Sequence, residues 1–168
     1  MEITKYENYP FGAVLLSNLV AVSIYGIGAF IIYQLGVVWL ILYLLYIAFL
    51  EAKLLLHCKG CYYYGKACAF GRGKLSCLFF KKGDPQKFSQ RKLTWKNLIP
   101  DFLVSIIPAV IGIIILVRDF SWLVLSLLAI LFLLTSAGNG FIRGSIACKH
   151  CKQLDLGCPA TRLFNKKQ

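Results

Sequence analysis

At 168 residues and 18.9 kDa, with 58 % hydrophobic residues, a mean hydropathy of +0.68 and 15 % charged residues, the chain departs from soluble proteins, which run at roughly 45–50 % apolar and about 25 % charged. This excludes a disordered tail, a secreted disulfide domain and a soluble nucleotide-binding fold, and leaves a membrane protein. The formal charge of +12, from 19 Lys and Arg against 7 Asp and Glu, then implies a partner in the anionic inner leaflet of a bilayer and not nucleic acid.

Four apolar runs are long enough for about 30 Å of hydrocarbon, which takes roughly 20 helical residues. They extend from Phe11 to Tyr33, Val37 to Leu56, Leu98 to Val117 and Phe120 to Ile142. The first is expected to remain as a span, because Glu2 and Glu7 precede it in place of the basic cluster of a cleaved signal peptide, and the run is too long for one. Gln34, Leu35 and Gly36 separate the first two runs, and Arg118 and Asp119 the last two, so each pair forms a tight helical hairpin with nothing folded beyond its turn.

Charge sets the expected orientation. Eighteen of the nineteen basic residues lie on one side, seventeen before, between or after the hairpins and Lys53 near the matching end of the second run, and Arg118 stands alone on the other. The positive-inside rule puts both termini and the central loop in the cytoplasm of a multi-pass cell-membrane protein. No charged residue falls near the bilayer centre, since Glu51, Asp101 and Arg143 lie toward the cytoplasmic ends, so the buried carboxylates of an ion-coupled transporter are missing.

Each hairpin runs into cysteines. A shift of 90 residues superimposes Cys58, Lys59, Cys61 and Cys68 on Cys148, Lys149, Cys151 and Cys158, and Pro10 on Pro100, so the motif C-K-x-C-x6-C occurs twice. The expected fold is therefore an all-α integral membrane protein: a four-span helical bundle of two tandem span-turn-span-cysteine repeats, residues 1–97 and 98–168, under a small cytoplasmic cysteine-rich cap. An even number of spans per copy makes the two copies face the same way, related by a pseudo-twofold axis along the membrane normal. The first copy has a fourth thiol, Cys77, where the second has Lys167.

The C-x2-C step lets two thiolates converge on one metal at roughly 2.3 Å, and the later cysteines extend the set. Cys58, Cys61, Cys68 and Cys77, and Cys148, Cys151 and Cys158, are the expected ligands, while His57 and His150 are expected to point away. Disulfides conflict with a reducing cytoplasm. Palmitoylation explains the juxtamembrane position but not the repeated spacing. Thiol redox catalysis lacks a thioredoxin-like pattern. The cofactor expected is an iron–sulfur cluster or zinc. Cys158-Pro159 matches the end of a ferredoxin run, and the knuckle-like C-K-G-C turn suits zinc.

The resulting expectation is a metal-binding protein, not an enzyme on its own, that assists membrane electron transfer together with a membrane or cytoplasmic protein partner. The competing reading is a zinc-stabilised assembly or adaptor protein without redox activity. Metal transport by a monomer is not expected, because every cysteine lies outside the apolar runs and the sole methionine is Met1.

Other features read as structural. Tyr62, Tyr63, Tyr64, Phe70, Phe79 and Phe80 suit an interfacial aromatic belt. Gly71-Arg72-Gly73-Lys74 lacks phosphate-loop spacing. The stretch from Lys81 to Lys96 reads as a linker on anionic lipid, and Gly138-Asn139-Gly140 as a close-packing point between spans.

Overall fold

Apolar runs of this length leave the backbone one solution in lipid, which is to bond every N–H and C=O within a helix. The computed structural model, which describes residues 4–91 and 94–159, has four helices long and apolar enough to cross a membrane. Lys92 of the basic linker, and Glu2, Arg162, Lys166 and Lys167, lie outside the described residues. Helix α1 spans Phe11–Tyr33 and α2 spans Val37–Cys58. Gly36 turns the chain between them at φ +122°, a conformation open to glycine and strained for other residues. Two short helices follow, α3 (Arg72–Phe79) and α4 (Pro85–Ser89); Asp84 starts α4 by accepting the Gln86 N–H at 2.8 Å. Helix α5 covers Trp95–Arg118 and α6 covers Trp122–Cys148.

The helices run further than hydropathy foretold. Helix α2 ends at Cys58 rather than Leu56, and α6 continues past Ile142 to Cys148, through two π-helical stretches at Leu134–Gly138 and Ile142–Cys148. Hydropathy falls at Arg143 and Gly144, but hydrogen bonding does not stop there. The expectation that all cysteines lie outside the spanning helices is thus corrected, since Cys58 and Cys148 are the terminal residues of α2 and α6.

Helix α1 packs on α5, α2 and α6, and α5 packs on α1, α6 and α2, so α1 and α5 form the middle of the bundle. Ile24, Ile31 and Leu131 form one buried cluster, and Ile32, Tyr43, Leu50 and Val104 another. Outside these, Val22, Leu45, Phe49, Ile113, Val117 and Phe132 stand exposed. Apolar surface of that extent belongs against lipid chains.

A proline inside α5 explains one packing contact. Pro108 has no N–H for the Val104 carbonyl one turn back. The Tyr43 hydroxyl of α2 donates to that carbonyl instead, at 2.8 Å, and Tyr46 donates to the Pro100 carbonyl at 2.8 Å. Tyr43 reaches α5 past Gly28 of α1, where a Cβ would stand 2.2 Å from the phenol oxygen. The close approach expected at Gly138 and Gly140 is found instead at Gly28 and at Gly112. A Cβ on Gly112 would come within 2.8 Å of Leu128, whereas Gly140 faces open space and Gly138 only ordinary contacts. Tyr43→Phe is expected to lower stability by about 1–3 kcal/mol, because it strands a buried carbonyl. Reversible unfolding in detergent micelles measures this, and an unchanged midpoint would refute it.

Candidate functional site: the cysteine junction

The two cysteine segments begin with the same local geometry. The Cys61 N–H donates to the Cys58 carbonyl at 3.1 Å and the Tyr64 N–H to the Cys61 carbonyl at 3.0 Å. In the second segment the Cys151 N–H donates to the Cys148 carbonyl at 3.2 Å and the Leu154 N–H to the Cys151 carbonyl at 3.2 Å. In each, a membrane-length helix ends on the first cysteine and passes directly into two linked turns.

The segments meet across a core of Tyr9, Tyr63, Ala69 and Ala147, against which Cys61, Cys68 and Cys151 pack. Tyr63 is 2 % exposed and Tyr9 5 %. This corrects the reading of the tyrosine run as an interfacial belt: Tyr63 is a core residue of the junction, while Phe79 remains exposed. The aromatic rings face inward because each hydroxyl finds a backbone partner there. Tyr63 donates to the Tyr6 carbonyl at 2.7 Å and accepts from the Lys152 N–H at 3.1 Å, and Tyr9 donates to the Ala147 carbonyl. Burial raises the Tyr9 and Tyr63 phenols above their ordinary pKa, so both stay protonated donors.

The residues before α1 join the two segments. Tyr6 forms an isolated parallel bridge with Cys151, its N–H donating to the His150 carbonyl at 3.0 Å. Tyr9 donates its N–H to Ala67, which donates back to Asn8. Gln153 crosses directly, accepting the Tyr62 N–H at 2.7 Å. Exposed pairs Lys152–Glu7 and Lys5–Asp155 add little, as surface ion pairs do. Both histidines are turned to backbone carbonyls, His57 to Lys53 and His150 to Thr4.

Glycines and one ion pair hold the first segment against the bundle. Gly71, at φ +70°, starts α3, and a Cβ on Gly73 would lie 2.1 Å from the Tyr63 carbonyl oxygen and 2.5 Å from that of Lys66. The Gly73 N–H points at Cys68 Sγ, 3.4 Å away. Arg72 grips Glu51 of α2 through two hydrogen bonds of 2.9 and 2.6 Å, and Tyr25 of α1 donates to the same carboxylate at 2.8 Å. Ser76, fully buried, donates to the Leu55 carbonyl at 3.0 Å. The Gly-Arg-Gly-Lys stretch thus docks α3 against the 63–66 turn and α2.

Of the seven expected ligands, Cys58, Cys61, Cys68, Cys151 and Cys158 are half-buried, and Cys77 and Cys148 are exposed. Burial, joined by the nearby Cys58, Cys151 and Cys68 thiols and opposed by a backbone hydrogen bond at Tyr63, pushes the Cys61 thiol up to about 12. Cys151 is raised by burial, and by charge on Cys158 and Cys148. Cys61 of the first set and Cys151 of the second pack against the same aromatic core. Cys77 is exposed on α3, its thiol directed to the Lys74 carbonyl at 3.1 Å. Among the described residues, no three of Cys, His, Asp and Glu are gathered tightly enough to hold a metal. The donor chemistry fits a thiophilic metal, but the sulfurs as they stand do not.

Beside Cys61 the junction opens into a cleft of about 780 Å³ lined by Tyr62, Tyr64, Lys66, Lys82 and Gln153. The cleft was not apparent in the sequence, because α4 and the second segment meet the first only in three dimensions.

A raised thiol pKa favours the folded junction below the ordinary thiol value of 9.0, and that contribution is lost as pH rises toward about 12. Metal-free protein is accordingly expected to label at Cys77 first at pH 8, with Cys61 at least about tenfold slower, and the difference is expected to close between pH 9 and 12. Alkylation followed by peptide mass mapping reads this; equal rates at pH 8 would refute the arrangement. No family model, curated protein or solved structure matches the chain.

Proposed function

We propose that the protein binds a thiophilic metal at the cytoplasmic ends of a four-span bundle, through Cys58, Cys61 and Cys68 and through Cys148, Cys151 and Cys158, in support of membrane electron transfer. The observation that carries this reading is the matching pair of Cys-x-x-Cys turns, each at a membrane helix end and both packed on one aromatic core. The reading includes two tandem repeats under a common cap. In its favour, exchanging α1 with α5 and α2 with α6 leaves the main helix contacts unchanged. Orientation with the termini and cap in the cytoplasm rests on the basic residues around the cysteines.

Three cysteines per segment are common to both copies, and exposed Cys77 is an outer thiol of the first. Metal uptake requires the sulfurs to draw together and shed protons, which burial now holds on Cys61 and Cys151. Zinc serving only as a staple is the weaker alternative, because Tyr9, Tyr63 and Gln153 already join the segments without it. Small domains that depend on structural zinc lack such a core.

Anaerobic purification of the full chain, with metal and sulfide analysis and a visible spectrum, tests the proposal. Iron with sulfide and a charge-transfer spectrum, lost in Cys61→Ser and Cys151→Ser, is the expected result. Stoichiometric zinc without a redox signal would replace electron transfer with an assembly role. Metal-free protein after reconstitution with either metal would overturn the proposal.

A further inference from the structure

Away from the cysteines, α5 and α6 enclose a groove of about 530 Å³, within the roughly 300–1,000 Å³ of small-ligand sites. The two helices touch closely where Gly112 meets Leu128 and part toward the cysteine end. The α6 wall there includes the π-helical stretch Leu134–Gly138, and the second stretch carries Arg143; such wide turns occur often at functional sites.

The polar lining is incompletely used. Thr135 and Ser136 return their hydroxyls to the carbonyls of Leu131 and Phe132. The Asp101 carboxylate, the Ser105 hydroxyl and the Asn139 amide, all half-buried, have no hydrogen-bond or ion-pair partner among the described residues. Arg143 lies against the Phe70 ring, 5.9 Å from its centroid, and is not paired with Asp101. An acid and a base on one groove, unpaired with each other and near the helix ends, match a ligand that carries both charges at headgroup depth.

We infer that the α5–α6 groove binds a zwitterionic phospholipid with a primary ammonium head, its phosphate on Arg143 and its ammonium on Asp101. Arginine presents donors in a fork that fits phosphate oxygens. Asp101, with the oxygens of Ser105 and Asn139, supplies acceptors for the three N–H groups of a primary ammonium, which a quaternary ammonium lacks. Apolar Phe102, Ile106 and Phe132 border the polar end where the acyl chains continue. An anionic lipid head would meet the Asp101 carboxylate unfavourably. The inference is independent of any metal at the cysteines.

The test uses the full chain in detergent, titrated with mixed micelles of phosphatidylethanolamine, phosphatidylcholine, phosphatidylglycerol or a long-chain quinone, and reads bound lipid by native mass spectrometry. Phosphatidylethanolamine is expected to be retained about tenfold over the other two lipids, the scale of one charge-assisted contact. Asp101→Asn is expected to erase the preference over phosphatidylcholine, and Arg143→Gln to weaken both. Ser136→Ala, whose hydroxyl is already bonded within α6, is expected to change nothing. Equal retention of all heads, preference for phosphatidylglycerol, or displacement of the lipid by the quinone would overturn the inference. Should either variant fail to fold, the headgroup ranking of the unaltered chain still decides it.

Discussion

Gly73→Ala is expected to destabilise the cysteine junction by about 3 kcal/mol, the upper end of what an overpacked methyl does. The added Cβ would fall 2.1 Å from the Tyr63 carbonyl oxygen and 2.5 Å from that of Lys66. Neither atom is the end of a flexible side chain, so the clash is relieved only by lifting α3 from the 63–66 turn. That movement breaks the Gly65 N–H bond to the Gly73 carbonyl, 3.0 Å, and withdraws the N–H aimed at Cys68. Alkylation of Cys61 and Cys68 is therefore expected to accelerate at pH 8, while the helical content of the bundle stays near that of the unaltered chain. Lys74→Ala, one residue on and exposed, is the neutral control. If Gly73→Ala labels no faster than Lys74→Ala, the close approach is wrong.

Glu51→Leu is expected to cost about 3–5 kcal/mol, because it leaves a desolvated guanidinium without its counter-charge. Arg72 has a side chain 18 % exposed and makes both of its carboxylate bonds to Glu51. Glu51 also receives the Tyr25 hydroxyl, so one carboxylate ties α1, α2 and α3 together. The double variant Glu51→Leu with Arg72→Met is expected to be less damaged than Glu51→Leu alone, since no unpaired charge remains. Unfolding midpoints of the two single variants and the double variant close the cycle. Additive losses would mean that the pair is solvated and does not anchor α3.

Hydropathy and spacing were enough for the four helices, their hairpin order and the two cysteine motifs, because each depends on short-range regularity. A run such as Val37 to Leu56 is helical in lipid whatever lies beside it, since no other conformation bonds its backbone. Proline and glycine were read less well. Pro108 breaks a hydrogen bond inside α5, and only the bundle reveals that Tyr43 of α2 replaces it. Gly138 and Gly140 suggested close packing by their spacing, but close approach occurs where a neighbour's side chain crosses, at Gly28 and Gly112.

The cysteine region divides in the same way. That Cys58, Cys61, Cys148 and Cys151 sit in matching turns follows from local sequence, because C-x-x-C after a helix closes by the same i to i+3 bond in both places. That Tyr63 is core and Phe79 is not, that Arg72 belongs to Glu51, and that Cys77 is exposed while Cys61 and Cys68 pack on the aromatic core were decided by packing among residues up to 138 positions apart. Composition carries the preference for a membrane, because transfer of apolar surface is additive along the chain. The partners of each polar group are not additive: burial makes every donor and acceptor find a match in space, and that matching exists only once the helices have met.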